Sequence, residues 1–582
     1  MDTSHMTNAG DTTGFNIVTF ASTTSGRQPD SYTMRLPTAV KLAVVASALC
    51  SITSAKSTGF KSNFLSFFST NDVADENANK AYQSSIDDRT CVYKWSSLSC
   101  EPKDKCSIQY QFGDVTPSQA CRVTRTGDLT KIPQQLHVAF AGEKAGTGMA
   151  ISWTTFALEE VPAVWIGANE STISQVKSAK IVTKSYYKED DYSLYNYHAV
   201  VTELEPNTEY FYKVGSSTNT KAQSAVSSFK TARSSGDESS FVVAMYGDMG
   251  TDANAVAANK YVNNLAGKVD FIFHLGDISY ADNDFVTVAT IFGFFYEEIW
   301  NKFMNSMTHV MRQMAYMVVV GNHEAECHSP TCLESTIKKD QLGNYSAFNA
   351  RFRMPSLESG GVLNMWYSFE YASVHFTAIS TETDYPNAPT NAYYTKRIYG
   401  NFGKQLDWLE ADLKAAHANR AIVPWVVVCM HRPIYSLRTC NVVGQPEEDG
   451  SIEVQKAFEE LLIKYEVDLV YQGHLHAYER HFPTANSKAI MTGVSKDRKT
   501  YTDPEAPVYV ITGSAGNSER LFQFRDPPSP EWLAHMDCTH YGITKLSVTP
   551  TNLTVTMVEA ATDTVYDEFS IIKTLKQEQR NN

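Results

Sequence analysis

An all-β sandwich followed by an α/β domain is the fold class this sequence predicts, on three observations. From about Pro133 to Val214, short alternating runs recur with turn-formers between them. From Phe241 on, short apolar runs alternate with helix-compatible stretches. Each apolar run of that second region ends in a cluster of Asp, Asn, His and Gly.

The alternating runs are Leu136–Phe140, Met149–Thr154, Ala163–Ile166, His198–Leu204 and Tyr210–Val214, with Pro206-Asn207 among the turns. Short strands at this spacing suggest a sandwich over residues 131–235. Ser234-Ser235-Gly236-Asp237 reads as a linker, and the α/β region spans 238–575. Its apolar runs are Phe241–Tyr246, Phe271–Leu275, Met317–Val320, Trp425–Cys429 and Val467–Tyr471. Helices fit Ala253–Leu265, Phe295–Met314, Lys404–Ala416 and Ile452–Lys464. Strand-like runs return at Val508–Thr512, Ile543–Val548, Leu553–Val558 and Glu568–Ile572. In open α/β sheets, functional groups collect past the carboxyl ends of the strands. The Asp/Asn/His/Gly clusters stand at those ends.

Residues 1–55 read as a leader and 56–130 as a polar, cysteine-bearing segment of no legible fold. Within the leader, Met34-Arg35 precedes the apolar Leu42–Leu49 and the small residues Thr53-Ser54-Ala55. That layout predicts a signal peptide over 34–55, with translation starting at Met34 and cleavage after Ala55. A disordered leader before a short buried helix is the alternative. No other apolar run reaches the ~20 residues of a membrane span. The tail Lys573–Asn582 is polar and carries no anchor signal. A secreted, extracellular chain is therefore expected. The three sequons at Asn169, Asn344 and Asn552 fit a glycoprotein. Of ten cysteines, Cys91, Cys100, Cys106 and Cys121 fall in the early segment, while Cys327 and Cys332 are close enough to clip one loop. Cys429, inside an apolar run, is the candidate unpaired thiol, which leaves Cys440 and Cys538 as a pair by elimination. The absence of CxxC argues against zinc-ribbon or thioredoxin chemistry. A net charge of −14 argues against non-specific nucleic-acid binding. It leaves small anionic substrates open, because a bound metal can dominate the local field.

The five clusters are Asp248-Met-Gly250, Gly276-Asp277-Ile-Ser-Tyr280, Gly321-Asn322-His323-Glu324, Val428-Cys-Met-His431 and Gly473-His474-Leu-His476. Singly, an Asp after a strand is a turn former and a His a hydrogen-bonded structural residue. Together they bring many metal-competent groups to one end of a sheet, where burying them unpaired costs several kcal/mol each. Coordination removes that cost. Carboxylate, phenolate, amide oxygen and imidazole form a mixed hard-oxygen and nitrogen set suited to iron, manganese or zinc. One carboxylate can bridge two ions about 3.5–4 Å apart, the clamp used for phosphoryl transfer.

In this order the five clusters resemble the motif set of the metallophosphoesterases. Tyr280 and His476 resemble the purple acid phosphatases in particular, in their large secreted plant and fungal form. The similarity runs from about Pro133 to Ile572 and includes Leu204–Gly215, which looks fibronectin-like, and Val508–Gly516. Gly360-Gly361, Trp366-Tyr367-Ser368 and Ser380–Asp384 look most like the fungal type. The resemblance implies an α/β (α+β) metallophosphoesterase four-layer β-sandwich flanked by helices, preceded by an all-β fibronectin-III-like domain. It implies Asp248, Tyr280 and His476 as ligands of Fe(III). Asn322, His431 and His474 would hold a divalent ion (Zn, Mn or Fe), and Asp277 would bridge the two. It implies hydrolysis of phosphate monoesters by a metal-bound hydroxide. His323 would act outside the coordination sphere, on the phosphate or the leaving group, with a structural histidine as the alternative; Glu324 would either orient it or be a surface or capping carboxylate. The partners implied are small phosphorylated substrates, with no nucleic acid and no membrane anchor; a homodimer is left open. A phosphodiesterase or nucleotide pyrophosphatase, and a non-catalytic secreted binding protein, are the competing readings. One stretch departs from well-known plant members, which carry adjacent histidines shortly after the ligand that His431 matches. Here Arg432 to Asn441 contains none. Arg432, Arg438 and Arg480 are the cations that could supply charge instead.

Overall fold

The computed structural model describes residues 92–94, 99–101, 131–189, 192–282, 296–389, 399–437, 451–522 and 530–574. All of them lie in the compact unit Thr70–Asn582. The signal-peptide expectation, Arg438 and Cys440 lie outside the described residues.

The first region is two four-stranded antiparallel sheets. One runs in the order Gln134–Ala141, Gly148–Thr155, Tyr195–Thr202, Lys180–Lys184. The other runs Ser227–Lys230, Glu209–Ser216, Pro162–Gly167, Ser174–Gln175. Alternation predicts one wet face per strand, yet Gln134–Ala141 is buried along its whole length. Its second face meets the α/β region. Phe140 lies edge-on to Phe271 at 5.3 Å, and Gln135 donates to Asn301 at 2.9 Å. Arg351, 1% exposed, fastens this junction. It reaches Glu297 and Gln135 at 3.1 Å each and Tyr186 at 2.9 Å. The predicted linker is also tied down. Arg233 pairs with Asp270 at 3.0 Å, and Gly236 N–H donates to Ala372 at 2.8 Å.

The α/β region contains two seven-stranded mixed sheets. The first is ordered Tyr316–Val319, Phe271–Leu275, Phe241–Tyr246, Gly542–Thr549, Asn552–Glu559, Val565–Ile572, Thr500–Thr502. The second is ordered Tyr367–Tyr371, Val374–Ala378, Trp425–Cys429, Leu469–Gln472, Val508–Thr512, Tyr478–His481, Leu533–Asp537. Phe271 meets Phe369 and Phe376 at 5.8 and 5.4 Å, so the sheets stack face to face. Alternate residues of a single strand serve different layers. Val427 and Cys429 face the inter-sheet core, whereas Val426 and Val428 pack with Leu409, Leu413, Phe458 and Leu462 of helices Gln405–Ala418 and Ser451–Lys464. On the other sheet, His274 lies 5.8 Å from Phe303 of helix Tyr296–Ser306. The result is helix, sheet, sheet, helix, preceded by an all-β sandwich. Burial on both faces explains why the central strands read as unbroken apolar runs. Cys429 is a buried unpaired thiol, and Cys327 and Cys332 are joined in a disulfide.

Candidate metal centre

Asp248, Asp277 and Asn322 stand just past the ends of the parallel strands Phe241–Tyr246, Phe271–Leu275 and Tyr316–Val319. His431 and His474 stand just past Trp425–Cys429 and Leu469–Gln472 of the other sheet. Backbone contacts sew the two rims together. Gly247 N–H donates to the Thr512 carbonyl at 2.8 Å, and His474 N–H to Asp248 Oδ2 at 3.0 Å. His431 Nδ1 donates to the Leu275 carbonyl at 2.7 Å, which directs Nε2 at Asp277 Oδ2 and Asn322 Oδ1, 3.0 and 3.2 Å away.

All seven predicted ligand residues converge. Asp277, His431 and His474 offer ligand atoms within 4.8 Å of one another. The Tyr280 hydroxyl lies 3.0 Å from His476 Nε2, 3.3 Å from Asp248 Oδ1 and 3.5 Å from Asp277 Oδ2. Asp277 therefore stands between both groups. Asp248, Asp277, Tyr280 and His474 all adopt positive φ, from 51° to 68°. Each costs on the order of 1–3 kcal/mol in a non-glycine residue, strain that folds retain at functional sites. Packing around them is close. A Cβ on Gly276 would come within 2.6 Å of His431 Nδ1, and one on Gly321 within 2.3 Å of Asp277 Oδ1. Glycine before Asp277 and before Asn322 is thus a condition of assembling the cluster.

The charge balance asks for cations. Among the described residues, neither Asp248 nor Asp277 forms a salt bridge with Lys or Arg. Burial raises the Asp248 carboxyl above its usual range. Burial also opposes ionisation of Asp277, but His431 and His323 outweigh it and hold that carboxyl low. Burial, then Asp248 and Asp277, push the Tyr280 phenol well above its ordinary value. A largely buried set of two carboxylates, a phenol, an amide and three imidazoles, with only Asn322 and His474 half-buried, is chemically suited to two metal ions.

His323 lies beside this set with its ring 4.1 Å from that of Tyr280. Its Nδ1 is held by Asp282 at 2.8 Å, and its Nε2 lies 3.9 Å from Asp277 and 3.6 Å from Glu519. Asp282 is the orienting carboxylate, not Glu324. Glu324 is fully buried and accepts from the N–H groups of Asp277, Ile278 and Gly321 at 2.8–2.9 Å. It shapes the loop backbone, and burial lifts its carboxyl to about 8. His328 also belongs here, with Nδ1 3.0 Å from Asp282. Sequence reasoning passed over Asp282, although it closes the same cluster as Asp277 and Tyr280. It also passed over Asn517, whose side chain holds the Asp248 carbonyl at 3.1 Å, and Phe522, stacked on His476 at 5.1 Å. Arg480 is remote in role: it pairs with Asp567 at 2.7 Å under Tyr501 and takes no part in the centre.

The sequons occupy different settings. Asn169 is exposed and caps a short 3-10 turn. Asn344 is exposed and exchanges hydrogen bonds with Gly400 at 2.9 and 3.4 Å. Asn552 begins a strand and is half-buried.

Three family models match in succession. The purple acid phosphatase N-terminal domain covers residues 133–231, the calcineurin-like phosphoesterase domain 241–478, and the iron/zinc purple acid phosphatase-like protein C region 506–568. The chain is 29% identical to acid phosphatase A of Cryphonectria parasitica, over 78% of this chain and 96% of that one. It is 28% identical to an acid phosphatase of Aspergillus ficuum, over 76% and 86%. The purple acid phosphatase isolated from yellow lupin seeds shares the fold, with a TM-score of 0.59 at 22% identity, covering 77% of this chain and 75% of that one. With the sandwich and the stacked sheets matched in succession by these models, the chain belongs to the purple acid phosphatase family and is an acid phosphatase.

Proposed function

We propose that the enzyme hydrolyses phosphate monoesters at an Fe(III)–M(II) centre, with M as Zn, Mn or Fe. Asp248, Tyr280 and His476 would hold Fe(III); Asn322, His431 and His474 would hold the divalent ion; Asp277 would bridge. The carrying observation is the Tyr280 hydroxyl within 3.5 Å of Asp248, Asp277 and His476. When bound, the ions supply Lewis acidity that lowers the pKa of water and neutralises charge on the phosphoryl oxygens. The remaining work falls to the chain. Asp282 accepts from the His323 Nδ1–H; burial opposes charge on the ring, but Asp282 and Asp277 outweigh it and favour the imidazolium, so that Nε2–H faces the cluster. From there His323 holds a proton for the leaving oxygen, the role of a general acid. Glu324 keeps the Asp277 loop in its strained conformation. Positioning and electrostatics therefore carry the catalysis, as phosphoryl transfer requires.

We further propose a secreted glycoprotein acting on small phosphorylated substrates. The Cys327–Cys332 disulfide supports this, since disulfides persist in oxidising compartments. No helix among the described residues is long and apolar enough to cross a membrane. Hydrolysis of matched chromogenic monoester and diester substrates across pH tests the reading. Monoester turnover with an acidic optimum and at least about tenfold lower diester turnover is expected; preferred diester cleavage would overturn it.

A further inference from the structure

Arg432 follows His431 directly and is buried, with its side chain 8% exposed. A guanidinium there must be held, because an isolated buried cation costs several kcal/mol. Two of its contacts are to one neighbouring segment. Its backbone N–H donates to Thr381 Oγ1 at 2.6 Å, and its Nε donates to Glu382 Oε2 at 2.9 Å. The pair is engaged through the Nε edge. Glu382 Oε1 is buried and has no hydrogen-bond partner among the described residues. The Nη edge is turned toward the cluster instead, with Nη1 3.2 Å from His474 Nε2.

That last contact requires His474 Nε2 to accept, since arginine has no acceptor of its own. A metal on the ring removes this acceptor whichever nitrogen it takes. If Nε2 is the ligand, its lone pair is used. If Nδ1 is the ligand, Nε2 carries the ring proton and faces Nη1 as a second donor. In either case Nη1 would no longer have His474 Nε2 as an acceptor, and the anchored guanidinium would keep an N–H beside a residue that would hold the divalent ion. An oxyanion is the acceptor that suits it, and planar N–H groups match two oxygens of one phosphoryl group.

Resting on the ligand assignment above, we propose that Arg432, anchored by Glu382, binds the non-bridging oxygens of the substrate phosphate and favours monoesters over diesters. A monoester presents three such oxygens and a greater charge; a diester presents two.

The test compares metal-loaded full-length wild type with Arg432→Gln, Arg432→Lys and Glu382→Gln. Metal content, calorimetric affinity for inorganic phosphate, and kcat and KM for a monoester and a diester are measured. Arg432→Gln is expected to retain both metals and to weaken phosphate binding about tenfold or more, the loss expected for a charged hydrogen bond. Its monoester kcat/KM is expected to fall further than its diester kcat/KM. Arg432→Lys keeps the charge without the fork and should weaken phosphate binding less. Glu382→Gln, which loosens the anchor, should fall between wild type and Arg432→Gln. Unchanged phosphate affinity in a metal-loaded Arg432→Gln overturns the proposal, as does loss of metal from that variant, which would make Arg432 a support for His474. If Arg432→Gln does not fold, Arg432→Lys decides: wild-type phosphate affinity would reject the fork. Wild type that binds neither metals nor phosphate would contradict the ligand assignment instead.

Discussion

Tyr280 holds its hydroxyl 3.0 Å from His476 and 3.3 Å from Asp248, in a left-handed conformation that a packed aromatic has no reason to adopt. A phenol there titrates far above neutrality unless a trivalent cation displaces its proton. Tyr280→Phe is expected to abolish visible charge-transfer absorption while leaving the thermal transition in place; a variant that keeps the colour would contradict the iron assignment. His323 depends on a partner just past Tyr280 in the same cluster. Asp282→Asn replaces the carboxylate on His323 Nδ1 with a neutral amide that can also donate, and kcat is expected to fall about 10–100-fold at unchanged metal content. An unaltered kcat would reduce Asp282 to a loop contact. At this scale the seven converging residues were legible because strand ends deliver them in a fixed order. Their supports were not. Asp282, Asn517 and Phe522 follow no apolar run of their own, and Glu324, open between an orienter and a surface or capping carboxylate, is fully buried on three backbone donors.

Elements were legible where both faces of a strand are apolar. Phe241–Tyr246, Phe271–Leu275 and Trp425–Cys429 match the sequence runs residue for residue. Tyr478–His481 was not anticipated: it buries Glu479, Arg480 and His481, which pattern reasoning places at a surface. Their burial is tolerated because Arg480 finds Asp567 and His481 finds Glu479 at 3.0 Å. The strands Tyr367–Tyr371 and Val374–Ala378 also went unread, and they carry a pH-dependent tie. His375 meets Asp412 of the neighbouring helix at 3.1 Å. Burial disfavours its charge, but Asp412 and Glu370 outweigh this and lift its pKa to about 9. A raised histidine pKa stabilises fully below the unfolded value and is lost as pH rises through the folded one. Asp412, held low mainly by His375 despite its burial, contributes above the ordinary carboxylate range and loses its contribution as pH falls below it. Both contribute between about pH 4 and 6.5. His375→Gln is expected to cost on the order of 2–3 kcal/mol near pH 5.5 and little above about pH 9.5, read from denaturant melts. A loss equal at both pH values would rule out the ion pair.

Across the whole molecule, the sandwich and the α/β region share one continuous core. Phe140 packs with Phe271, Phe369 and Tyr371 at 5.3–5.6 Å, and Arg351 ties Gln135 to Glu297 and Asn301. Arg351→Ala leaves the Glu297 carboxylate buried without its guanidinium. It is expected to destabilise by about 3–5 kcal/mol and to split one calorimetric transition into two, whereas a single unshifted transition would show the regions to be independent. The order of the two regions was visible in the change from alternating to continuous apolar runs. Their fusion was not, because contacts such as Gln135 with Asn301 join residues far apart in the chain. The rim on which the seven residues converge belongs to this single body, and metal stoichiometry is the most direct measure of the proposed centre. Elemental analysis of purified protein is predicted to give about two ions per chain, one of them iron, and Asp277→Ala should lose both together with phosphatase activity. Full acid phosphatase activity in protein that contains no iron and less than one metal ion per chain would contradict the two-metal account.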